Sequence, residues 1–170
     1  MAKVRIIDEK VKGHLGQYLF QCSLATFVIF AILAFLDIIT HTAIIATLGS
    51  SAFVVFTMPR TKSSEPRPLI GGYIMGILSG ALCHLLSVSR MGVTLFPSQH
   101  TSYVVFGALA VGIAIFFMVV TNTEHPPAAG MALGLVLNKW DYLTILFILG
   151  AIIVMSVSKR MLKSVLMDLV

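Results

Sequence analysis

TNTEHPPAAG, residues 121–130, interrupts a chain that is otherwise a succession of apolar runs. Before it, Thr101 to Val120 is apolar throughout and long enough to cross a bilayer. After it, Met131 to Leu137 is apolar again but too short to cross alone, since a spanning helix needs about 20 residues. An acid, a histidine and two prolines between such runs read as a helix broken on entry. Proline at the first helical position gives up only an N–H that has no partner there. Residues 122–126 are therefore expected to run extended, and Pro127 to Asn138 to be helical over about 18 Å.

The rest of the chain shows what this break interrupts. Of its 170 residues, 58% are hydrophobic and only 11% charged. Soluble domains carry about 25% charged residues, and the mean hydropathy here is +0.97. Lipid tails solvate apolar side chains, so the composition identifies an integral membrane protein. The net charge of +5 raises nucleic acid as a partner. That reading is rejected, because the basic residues sit at the ends of apolar runs, where topology signals lie. The cysteines, Cys22 and Cys83, fall inside apolar runs with no metal or redox spacing, and are expected to be small buried hydrophobes.

Clean spans are expected at 18–39, 69–88, 101–120 and 142–157. Residues 41–58 form a second broken segment, interrupted by Thr47, Gly49, Ser50 and Ser51, with residues 42–49 extended and a half-helix from Ser50. Loops are expected at 59–68 and 89–100. If all six segments cross from a cytoplasmic N-terminus, Lys3, Arg5, Lys10, Lys12, Arg60, Lys62, Arg67, Lys159, Arg160 and Lys163 lie inside, against Arg90 and Lys139 outside. If the broken segments re-enter instead, giving four transmembrane helices plus two re-entrant segments, the charge bias almost vanishes. The positive-inside rule favours six crossings.

The expected fold is thus an all-α membrane protein with six segments in a 3+3 inverted repeat, the second segment of each half being an extended piece plus a half-helix. The organisation is a basic interfacial segment at 1–16, one transmembrane domain at 17–160 (halves 17–88 and 101–160) and a cytoplasmic tail at 161–170. The expected location is a prokaryotic inner membrane, multi-pass, with both termini cytoplasmic.

Two half-helix starts facing each other at the midplane would make an anion site from backbone N–H groups and helix dipoles. The expected bed is Thr47, Gly49, Ser50 and Ser51 opposite His125, Pro126, Pro127, Ala128 and Ala129. Glu124 and His125 are the candidates for gating or proton linkage, since ionisable groups at membrane depth tend to be functional. Gly72, Gly76 and Gly80 fall on one helix face and suit close helix packing, within one copy or between copies. His41, His84, His100, Asp37 and Arg90 read as interface or loop residues.

The motif His125-Pro126-Pro127 resembles the signature of the HPP family of small integral membrane proteins. ATLGSSAFVVF at 46–56 and EPRPLIGG at 65–72 are similar to two further family stretches, in the family's order. The family tends to carry HPPAGAT where this chain has HPPAAGM, and a histidine where this chain has Tyr73. Family descriptions commonly count four transmembrane helices. Members in plastids and cyanobacteria are associated with nitrite transport, so the resemblance implies a transporter or channel for a small inorganic anion, nitrite first. Its partners would be that anion, membrane lipid and further copies of the chain. No cofactor or metal is expected. An enzyme using Glu124 and His125 lacks a nucleophile or cofactor loop, so none is expected. A non-transporting scaffold, assembled through the Gly72, Gly76 and Gly80 face, is the alternative.

Overall fold

A computed structural model describes residues 10–35, 42–96 and 98–170. Every regular element within them is helical: α1 (Lys10–Phe35), α2 (Thr42–Thr57), a 3₁₀ turn (Lys62–Ser64), α3 (Pro66–Val88), α4 (Arg90–Leu95), α5 (Gln99–Val120), α6 (Pro126–Leu137) and α7 (Tyr142–Met161). Four stretches are long and apolar enough to cross a membrane: Gly13–Ala34, Pro66–Val88, Gln99–Val120 and Tyr142–Met161. α2 and α6 are apolar but shorter.

Local chemistry sets the ends. Ser98 Oγ accepts from the Thr101 amide at 3.1 Å to start α5, and Asp141 Oδ1 accepts from the Thr144 amide at 2.7 Å to start α7. Prolines occupy the first turns of α3 and α6, where a missing N–H costs nothing. Residues 89–100, expected as loop, contain the short helix α4, capped by Ser89.

Counting α2 and α6, successive membrane helices run in opposite directions, so that α3 is antiparallel to both α5 and α7. Lys159 near the end of α7 meets Ser64 before α3. Arg67 at the start of α3 bonds the Thr121 carbonyl at the end of α5, and Ser102 near the start of α5 bonds the Ser87 carbonyl at the end of α3. One end of the bundle therefore gathers Arg60, Lys62, Arg67, Lys159, Arg160 and Lys163, and the other has Arg90 and Lys139.

α6 is the central element. On one side the glycines of α3 receive it. A Cβ added at Gly80 would lie 2.7 Å from the Ala132 carbonyl oxygen, one at Gly72 would lie 2.8 Å from His125 Cβ, and one at Gly76 would overlap the Ala128 carbonyl. The glycine face is thus used within the protomer. On the other side α2 runs antiparallel, with Thr47 against Gly130 and Ile44 against Gly134. Leu48, Val55, Phe56, Met131 and Leu135, all fully buried, fill the seams. Cys83 is buried, but Cys22 lies on the exposed face of α1.

The extended-plus-helix form expected for the first broken segment is wrong. α2 is one continuous helix of 16 residues from Thr42 to Thr57, with no start at Ser50. Glycine and serine in a helix interior weaken it only slightly, and tight packing against α6 overrides that preference. Asp37 and His41 lie outside the described residues.

Candidate functional site

The break that follows α5 is built by a specific terminus. Asn122 adopts the left-handed conformation, φ 57°. The Thr123 amide bonds the Met118 carbonyl at 2.8 Å and the Asn122 amide bonds the Val119 carbonyl at 3.2 Å, the paired bonds of a Schellman stop. Asparagine is among the few non-glycine residues that enter this region readily. Thr123 and Glu124 follow without regular structure, His125 is extended, and α6 begins at Pro126.

This delivers His125 to a closed polar cluster. Its ring has no solvent exposure, and neither do Ser51 and Tyr73. His125 Nδ1 is 2.8 Å from the Ser63 carbonyl and Nε2 is 2.8 Å from Ser51 Oγ. Ser51 Oγ is 2.8 Å from the Tyr73 hydroxyl, which donates to the Thr47 carbonyl at 3.1 Å in one orientation. A carbonyl only accepts, so Nδ1 carries a proton. With a neutral ring, Tyr73 donates to Ser51 and Ser51 donates to Nε2. With a charged ring, Nε2 donates to Ser51, Ser51 donates to Tyr73, and Tyr73 donates to Thr47. Both arrangements leave every member partnered, and the same atoms serve both.

The remaining expected residues separate. Gly49 faces Ile29 of α1, and Ser50 is exposed on the outer side of α2. Only Ser51, with the Thr47 carbonyl, reaches the start of α6. Pro126 is exposed, Pro127 and Ala128 are buried, and Ala129 is half-buried. The start of α6 offers almost no amide donors: the two prolines have none, and the Ala128 amide bonds the His125 carbonyl at 2.9 Å. The facing pair of helix N-termini is therefore absent. Nor does α6 begin at the midplane. His125 packs on Gly72, six residues into α3, or about 9 Å along a helix about 35 Å long.

Glu124 stands at the exposed mouth. Lys62 Nζ lies 3.1 Å from its Oε2 and donates to Asn122 Oδ1 at 2.5 Å, clasping the two connections together. Glu124 Oε2 is paired with Lys62 by charge. Its carboxyl is held below the usual carboxylate range, first by its own backbone amide and then by Lys62. His84 is half-buried, edge-on to Trp140 with ring centroids 5.6 Å apart, and His100 is exposed. Among the described residues no three His, Cys, Asp or Glu side chains come together as a metal set.

Tyr73 and the Ser63 carbonyl were not singled out as site groups from the sequence. A tyrosine in an apolar run reads as packing, and nothing local announces which carbonyl a distant ring will reach.

The break, the buried histidine and the flanking helices all fall within the range of one family model. The model for the transmembrane region of HPP proteins matches residues 10–163. The chain belongs to the HPP transmembrane family. The His-Pro-Pro triplet of this chain, His125 to Pro127, lies within the matched range, at the stop and restart between α5 and α6. A transmembrane protein of Dictyostelium discoideum is 29% identical over 90 residues, which are 53% of this chain and 28% of that relative. No solved structure matches.

Proposed function

We propose that this HPP protein moves a small inorganic anion, nitrite first, across its membrane without catalysing a reaction, and that His125 is the group that accompanies the anion. The observation that carries this reading is the His125–Ser51–Tyr73 cluster, which has complete hydrogen-bond arrangements for a neutral and for a charged ring. A lone imidazolium in so dry a place is costly, and so is a lone anion. Together they are nearly neutral. The hydroxyls of Ser51 and Tyr73 and the ring of His125 supply the recognition that amides cannot. The closed cluster is an occluded state, and passage requires it to open.

The architecture supports transport in a second way. α2 and α6 lie antiparallel at the centre: α2 packs on α1 and α7, and α6 on α5 and α3, so the middle helix of each triplet meets its own first helix and the last helix of the other. We read this as an inverted repeat in which only the second triplet keeps a broken middle segment. The excess of basic residues at the end with the His125 mouth supports a cytoplasmic side for that end. The scaffold alternative loses its motive, because Gly72, Gly76 and Gly80 are occupied by α6.

Liposomes containing the purified protein are expected to take up nitrite faster than protein-free vesicles, and faster as the pH falls, because protonation charges His125. His125→Gln should flatten that dependence. Uptake equal to that of empty vesicles rejects transport, and a pH profile unchanged by His125→Gln rejects the proton role.

A further inference from the structure

A second site lies apart from the His125 cluster, at the basic end of the bundle. A cavity of about 560 Å³ opens between the connection 59–66 and the end of α7. Its lining brings together Arg60, Lys159, Arg160 and Lys163, with Glu65 and the apolar Leu166. These cations are not equivalent. Lys159 is buried and committed: its Nζ donates to the Ser64 carbonyl at 2.8 Å and to Ser64 Oγ at 2.9 Å, and faces Glu65 Oε1 at 3.4 Å. It forms the floor and offsets the single carboxylate of the lining. The side chains of Arg60, Arg160 and Lys163 have no hydrogen bond or ion pair among the described residues. The Asp168 carboxylate is engaged elsewhere, accepting from the Arg60 backbone amide at 3.0 Å. Two guanidinium groups and an ammonium thus converge on one hollow, none of them in an ion pair among the described residues.

We propose that this cleft binds the phosphodiester headgroup of an anionic membrane phospholipid. Phosphate is the matching chemistry, since guanidinium forks pair with phosphate oxygens and cationic pockets at the cytoplasmic ends of membrane helices suit anionic headgroups. A lipid is favoured over a soluble phosphate by what adjoins the cleft. Ile153, Val154, Val157 and Met161 make an exposed apolar row along α7 that ends beside Arg160. An acyl chain lying on that row carries its phosphate to the cleft. The cleft is no vestibule for the proposed transport path: the 3₁₀ turn stands between them, its Ser63 carbonyl holding His125 and its Ser64 carbonyl holding Lys159. The proposal does not depend on what the protein transports.

Native mass spectrometry of the full chain in detergent, titrated with phosphatidylglycerol or phosphatidylcholine, tests it. Phosphatidylglycerol is expected to bind at least about ten-fold more tightly, and each of Arg60→Gln, Arg160→Gln and Lys163→Gln to weaken it roughly five-fold. Lys139→Gln, at the opposite end, should leave it unchanged. All three positions are exposed, so the single variants are expected to fold, and circular dichroism of each checks this. Equal binding of the two lipids overturns the proposal, as does equal weakening by Lys139→Gln. Full displacement of phosphatidylglycerol by inorganic phosphate at the same concentration overturns the lipid as the source.

Discussion

Ser51 shows how much one hydroxyl can organise. It is the bridge between Tyr73 and His125, and it has no solvent to replace either partner. Ser51→Ala strands a buried ring nitrogen, so thermal unfolding in detergent should report a loss of about 1–3 kcal/mol. Tyr73→Phe leaves Ser51 able to donate to the ring and should cost less, about 1 kcal/mol, while removing the route by which a charged ring passes its hydrogen bonds on to Thr47. Combining the two should cost less than the sum, because both act on one chain of bonds. Glu124 makes the complementary, exposed case. Its folded pKa is depressed, so its contribution is full above the ordinary carboxylate range and is lost as the pH falls through the folded value. A stability profile of Glu124→Gln should therefore match the parent's near pH 3 and fall below it at neutral pH.

At the scale of elements, the contact between α3 and α6 is set by absence of side chains. Gly76 faces the Ala128 carbonyl and Gly80 the Ala132 carbonyl, both rigid backbone atoms. Gly76→Val should cost more than about 3 kcal/mol or prevent folding, as overpacking against backbone cannot be relieved by a rotamer change. Gly112 on α5 has open space where a Cβ would go. Gly112→Ala should instead be neutral or stabilising by up to about 1 kcal/mol, since alanine is the better helix former. Measured side by side, the two substitutions separate packing glycines from incidental ones. The Asn122 stop gives a third test: Asn122→Gly should be tolerated, and Asn122→Val should cost about 1–2 kcal/mol through its left-handed backbone.

At the scale of the whole molecule, the basic end is tied together by long-range polar contacts. Lys159 holds the connection between α2 and α3 from the end of α7. The buried Gln21 of α1 bonds the Phe56 carbonyl and the Met167 carbonyl, and the Leu169 amide bonds the Thr57 carbonyl at 2.8 Å. Residues 166–169 therefore pack as part of the bundle. Lys159→Met keeps the side-chain bulk but removes the donors. Hydrogen exchange should then accelerate in residues 59–66, which also hold His125 through Ser63, while α5 keeps its protection. Unchanged exchange at 59–66 would show that the turn stands without Lys159.

Composition and hydropathy alone determined that this chain lives in a membrane as packed helices, and TNTEHPPAAG alone determined that one helix stops and another starts there. These are local matters: bilayer length and proline without an amide. What Gly49, Ser50 and Ser51 do was not local. Their small size reads equally as a helix break or as a packing face, and only contact with α6 decided for a continuous α2. That packing turned Ser51 inward to His125 and left Ser50 outside, a choice made by the rotation of a helix about its axis. Lys159 presents the same lesson. In sequence it is one of several basic residues at a helix end, and only the tertiary fold buries it against Ser64, because the groups that satisfy its charge come from a turn 95 residues away.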